Sequence, residues 1–113
     1  MYVIYRIEHE TSGLGPHHHS DDSHNYLFRH NLNRAKYPNR RDDLSSLELD
    51  EEKLNKLFAA CPSYKLLMSW FTPREQAALK KKGFILRKLR VRRIIMGESG
   101  RQCFFKKSSI IHI

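Results

Sequence analysis

The segment from Thr72 to Gly83 constrains the fold most, because it carries its own start and stop. Thr72 offers a hydroxyl N-cap, Pro73 fits the first helical turn, and Glu75 is placed to complete a capping box. Gly83 supplies the left-handed residue that ends the helix. The chain beyond it is extended. Phe84, Ile85, Leu86, Leu89, Val91, Ile94, Ile95 and Met96 are strand formers, and 84–96 reads as one long strand. Gly97-Glu98-Ser99-Gly100 is a turn, after which 101–106 returns through Gln102, Cys103, Phe104 and Phe105 as an antiparallel partner.

The rest of the chain is arranged around that unit. Residues 2–8 are β-branched and aromatic and read as a first strand, stopped by the glycines and proline of 9–16. Residues 17–47 form a long polar region, rich in histidine and then in charge; within it 25–30 reads as a short strand or a packed loop. Leu49, Leu54, Leu57 and Phe58 recur at helical spacing behind Asp50, Glu51 and Glu52, so 49–60 reads as a helix that ends at Cys61-Pro62. Ser63 caps a short helix whose buried face is Leu66, Leu67, Trp70 and Phe71. A last edge strand is expected at 110–113. The expected class is α+β, with 1–113 as a single domain. A small, mainly antiparallel sheet combines the N-terminal strand with the C-terminal hairpin, and two or three helices pack on one face.

Apolar residues make up 40% of the 113, including six Phe, five Tyr and one Trp, which suffices for a core without staples. Cys61 and Cys103 are too few and too isolated for a disulfide framework, and they read as ordinary thiols of a reducing compartment. No apolar run is long enough to span a membrane, and the N-terminus lacks the pattern of a signal peptide; the expectation is a cytoplasmic protein with no membrane partner.

The net charge of +9 is unevenly distributed. Residues 61–113 carry 13 Lys or Arg against only Glu75 and Glu98, whereas 1–60 is slightly acidic. Such segregation gives the molecule a field with a direction, able to steer an anionic partner to one face. The candidate partner-binding residues are Lys80, Lys81, Lys82, Arg87, Lys88, Arg90, Arg92, Arg93 and Arg101. Period two sets Lys88, Arg90 and Arg92 on one side of the strand, where like charges repel unless an anion meets them. Charges protecting a solvated edge strand are the plainer explanation. Arg34, Lys36, Arg40 and Arg41 form a secondary basic loop. The histidines of 17–24 bear ligand-type side chains but sit adjacent in an unsupported loop, and no metal site is expected there. No nucleophile stands with a base and an oxyanion or metal site, so neither catalysis nor a cofactor is expected.

Tyr5-Arg6-Ile7-Glu8-His9, Thr11, Gly13 and Gly15-Pro16, then Leu67, Trp70-Phe71, Gly83-Phe84, Gln102 and Phe104-Phe105, resemble the pattern of small proteins encoded by phages and related mobile elements. That resemblance implies a non-enzymatic binder that inhibits a host nucleoprotein complex, in the manner of CRISPR–Cas inhibitors, with an acidic protein or nucleoprotein surface as partner. Direct nucleic-acid binding through the same cations is the alternative. Leu89 and Val91 lie between those cations and offer no stacking platform for single strands. Arg6 and Gln102 also resemble landmarks of ADP-ribosyltransferase-like folds, which implies Arg6 on a nicotinamide-cofactor phosphate and Gln102 near the reacting ribose. Phe104 and Phe105 stand where the catalytic glutamate of that pattern is expected.

Overall fold

The structure, a computed structural model, describes residues 1–16, 33 and 35–112. The long polar region of the sequence therefore falls largely outside the described residues, including the histidines of 17–24 and the expected short strand at 25–30. Strands β1 (Tyr2–His9), β2 (Phe58–Ala60), β3 (Phe84–Val91), β4 (Ile95–Met96) and β5 (Cys103–Phe105) alternate with helices α1 (Arg40–Asp43), α2 (Glu51–Asn55), α3 (Tyr64–Trp70) and α4 (Pro73–Lys81). The class is α+β, and the N-terminal strand pairs antiparallel with β3 along its whole length, from Tyr2 opposite Val91 to His9 opposite Phe84.

Two small sheets replace the single one expected. β1 and β3 form a two-stranded sheet, and β2, β5 and β4 form a second in that order. The long strand at 84–96 is broken after Val91, the last residue paired with β1, and Arg92 N–H donates to the Ser109 carbonyl. Ile95 and Met96 pair instead with Phe104 and Cys103 of β5. The sheets are stitched where Tyr5 N–H donates to the Cys61 carbonyl at 2.9 Å and Cys61 N–H returns to Tyr5 at 2.7 Å.

Alternation sorts the core into three layers of contact. On one side of the β1–β3 sheet, Ile7 and Phe84 pack with Leu67, Trp70, Phe71 and Leu79 of the α3–α4 segment. On the other side, Ile4 and Val91 meet Ala60, Cys103 and Phe105 of the second sheet. Phe104 points the opposite way from its neighbours and packs on Leu44, Leu54 and Leu57 near α1 and α2. The helices thus divide between two outer faces rather than sharing one.

Local signals set the helix ends. Glu75 N–H donates to Thr72 Oγ1 at 3.1 Å and Thr72 N–H donates to Glu75 Oε1 at 2.7 Å, completing the capping box of α4. Gly83 stops it at φ +89°. Ser63 caps α3, and Asp50 caps α2 by accepting from Lys53 N–H. The expected helix at 49–60 is shorter than its periodicity suggests. Past Asn55 the chain turns into β2, because Pro62 holds the preceding residue extended and Phe58 and Ala60 find Phe105 and Cys103 across the ladder. The region 31–47 is also more than a surface loop. Within it α1 and a 3₁₀ turn (Ser45–Leu47) carry Asp43 and Leu44 into the interior. At the C-terminal end, Lys107–Ser109 is a 3₁₀ turn; of the edge strand expected at 110–113, the described residues 110–112 show a bridge of Ile110 to Val91, and Ile113 lies outside them.

Asp43 is 1% exposed, yet it is satisfied: Ser99 donates to it through N–H at 2.6 Å and through Oγ at 2.9 Å. The carboxylate sits so close to the β4–β5 turn that a Cβ at Gly97 would lie 1.9 Å from Asp43 Oδ2. Gly97→Ala is therefore expected to lower unfolding free energy by about 1–3 kcal/mol, the range for forcing an extra methyl into a packed site. The readout is the urea midpoint; an unchanged midpoint would show that Asp43 does not reach the turn.

Candidate partner-binding surface

Antiparallel pairing puts directly opposed side chains on the same face, so the register locates each cation of β3. Lys88 lies opposite Tyr5 and Arg90 opposite Val3, on the side of the sheet that Ile7 and Phe84 bury further along. Both cations are exposed. Around them are apolar and aromatic groups: Val3, Leu86 at 49% exposure, and Tyr64 at 52%, whose ring meets Tyr5 edge-on at 6.2 Å. The aromatic platform absent from β3 itself is thus supplied by β1 and the first turn of α3. Only the strand pairing reveals it; nothing local to 84–96 does.

Arg87 points the other way and lies 3.8 Å from Glu8 Oε2. Arg92 and Arg93 do not extend the row of Lys88 and Arg90, since β3 ends at Val91. They line a separate groove of about 600 Å³ together with Lys106, Ser108 and Ser109. A second open recess of about 720 Å³ runs along the outer edge of β3, bordered by Arg87, Lys88, Arg90 and Lys107. Among the described residues no carboxylate lies within ion-pair distance of Lys88, Arg90, Arg92 or Arg93. Lys80 and Lys81 end α4, with Lys82 as its C-cap, and Arg101 stacks its guanidinium 5.6 Å over the Tyr37 ring. The nine candidate cations are thus distributed over several parts of the surface.

The secondary loop is largely committed internally. Arg40 donates to the Leu57 carbonyl at 2.8 Å, Arg41 pairs with Glu51, and Lys36 sits 5.6 Å over Tyr37. Arg34 falls outside the described residues.

The two residues of the nicotinamide-type resemblance are also tied to the fold. Arg6 is 4% exposed, donates to the carbonyls of Ala59 and Gly13 at 3.2 Å each, and lies against the neighbouring Phe58 and Phe105 rings, 5.5 Å from each centroid. Its Nε faces Glu8 Oε1 at 3.2 Å without hydrogen-bond alignment, a contact of charge alone. Burial pulls the guanidinium below its ordinary pKa, opposed by Glu8. Gln102 is buried and donates to the Pro38 carbonyl at 2.8 Å. Cys61 and Cys103 are buried free thiols; desolvation raises both, Cys103 to about 12 and Cys61 further, with Cys103 adding to the effect. Among the described residues no group of His, Cys, Asp and Glu is arranged to hold a metal, and no helix is long and apolar enough to cross a membrane.

A family model described as Bacteriophage T4 Y00F protein matches residues 1–113. Neither the curated proteins nor the solved structures returned a match.

Two measurements check these assignments. Arg6→Lys keeps the charge but loses the fork that reaches two carbonyls, so it is expected to cost about 1–3 kcal/mol in denaturant unfolding; an unchanged midpoint would free Arg6 for another role. The thiols, held protonated by burial, should resist a disulfide reagent at about pH 8 in the native protein and react once it is unfolded. Their folded pKa values lie above the unfolded value of 9.0, so their contribution to stability is complete below that pH and declines as pH rises toward 12. Rapid native labelling at both positions would contradict the burial.

Proposed function

The chain belongs to the Bacteriophage T4 Y00F protein family, and we propose that it is a non-enzymatic phage protein that binds and inhibits a nucleoprotein complex of its host. The observation that carries this reading is the set of exposed cations on and just beyond β3, Lys88, Arg90, Arg92 and Arg93, with no carboxylate beside them among the described residues. Like charges held this close lower stability by themselves, and an anionic partner relieves that repulsion.

The company kept by Lys88 and Arg90 favours a protein partner. Val3 and Leu86 share their face and are exposed, and neither has a use against a phosphate backbone. Against an acidic protein groove the same side chains bury apolar area while the cations set register. CRISPR–Cas effectors and other nucleic-acid machines present surfaces of that kind.

One observation favours a second reading, direct binding of single-stranded nucleic acid. Tyr5 lies opposite Lys88 and meets Tyr64 edge-on, which places ring faces beside cations as base stacking requires.

A pull-down from host lysate, with and without nuclease, separates the two. The wild-type chain should retain a defined protein complex after nuclease treatment, and Lys88→Glu/Arg90→Glu should lose it. Recovery of nucleic acid alone, with binding that falls steeply as salt rises, would transfer the function to the second reading. Retention by the charge-reversed protein would reduce these cations to a solvated edge.

A further inference from the structure

The groove beyond the end of β3 shares Arg92 and Arg93 with the reading above and adds a lining which that reading does not use. Its rim carries Arg92, Arg93 and Lys106, its lining contains Ser108 and Ser109, and among the described residues no carboxylate lines it. Its floor is apolar: Ile94 and Ile95 are half-buried there above Leu57, Phe104 and Phe105. The volume of about 600 Å³ falls within the usual span of small-ligand pockets.

The backbone holds this rim in place. Arg92 N–H donates to the Ser109 carbonyl at 2.9 Å, and Ser109 Oγ donates to the Lys106 carbonyl at 2.7 Å, so the two walls are bound to each other. Three cations are thus gathered around an apolar floor by main-chain bonds that do not neutralise them. A bare inorganic anion would satisfy the rim and leave the isoleucines wet. A neutral apolar ligand would cover the floor and leave the cations unopposed.

We infer that this groove binds a nucleotide, with its phosphate on Arg92, Arg93 and Lys106, its base over Ile94 and Ile95, and its sugar or phosphate within reach of the Ser108 hydroxyl. The phosphate and base together match both halves of the site, by charge-assisted hydrogen bonds on one side and apolar contact on the other. The ligand chemistry is the same whether the nucleotide is free or ends a nucleic-acid strand. Arg92 and Arg93 also belong to the cation set of the proposed function, but the pull-down there reverses Lys88 and Arg90 while the titration below reads Arg92 and Arg93, so the two readings fail separately.

Amide chemical shifts of the isotope-labelled chain, titrated with adenosine monophosphate, inorganic phosphate and adenosine, test the inference. The monophosphate should shift Arg92, Arg93, Ile94, Ile95 and Lys106 together and bind at least about tenfold more tightly than either phosphate or adenosine alone. Arg92→Ala/Arg93→Ala should weaken it by about tenfold or more, whereas Lys65→Glu, an exposed charge on α3, should leave it unchanged. A dinucleotide with a 5′-phosphate, compared with one lacking it, assigns the source: tighter binding than the monophosphate indicates a strand end, weaker binding a free nucleotide. Absence of shifts at Ile94 and Ile95, equal binding of inorganic phosphate, or equal loss in Lys65→Glu would each overturn the site, because each would leave only diffuse attraction between a basic protein and an anion.

Discussion

A buried guanidinium is the constraint on which the rest of this structure depends. Taking an arginine out of water costs several kcal/mol unless its charge is paired and its N–H groups are bonded. Arg6 projects into the space between the two sheets, beside Ile4 on the same face of β1. To satisfy it, β2 must bring the Ala59 carbonyl close, the turn after β1 must fold back to present Gly13, and Glu8 must stay on the same face. Phe58 and Phe105 then close over the ion as a pair of π-faces. A side chain at Gly13 would be strained by φ +71° and would place its Cβ 2.9 Å from Lys107 Nζ. One ion thereby brings together four separate stretches of chain.

The same interaction explains why the cations near β3 are left over. Glu8, the carboxylate nearest the strand, is already shared between Arg6 and Arg87. Other acids are committed in turn: Asp43 to Ser99, Asp50 and Glu75 to helix caps, Glu51 to Arg41 and Glu52 to Lys56. These carboxylates are held by caps, ion pairs and buried hydrogen bonds elsewhere in the fold, which leaves Lys88, Arg90, Arg92 and Arg93 without one among the described residues.

Features written in short stretches were legible in the sequence. The capping box at Thr72, the Ser63 cap, the Gly83 stop and the turn at 97–100 each depend on residues within a few positions of one another. What escaped depends on partners distant in the chain. The break after Val91 has no glycine or proline to announce it; it shows only in the pairings with β1 on one side of it and β5 on the other. β2 hides inside a helical periodicity, since Leu54 and Leu57 are buried on either reading and only Phe105 and Cys103 decide the matter for Phe58 and Ala60. For the surface, alternation correctly set Lys88 and Arg90 apart from Arg87, but it could not show that Tyr5 and Tyr64 stand beside them.

The break after Val91 also limits the shape of any partner. Had the strand continued to 96, Lys88, Arg90 and Arg92 would form one straight row, and a flat anionic surface could meet all three. Instead the chain leaves the first sheet at Val91 and joins the second at Ile95, carrying Arg92 and Arg93 to a groove with its own walls. Two anionic engagements, one broad and one confined, fit this geometry better than a single continuous contact. The protein can hold them apart only because the buried Arg6 fixes the two sheets that carry them.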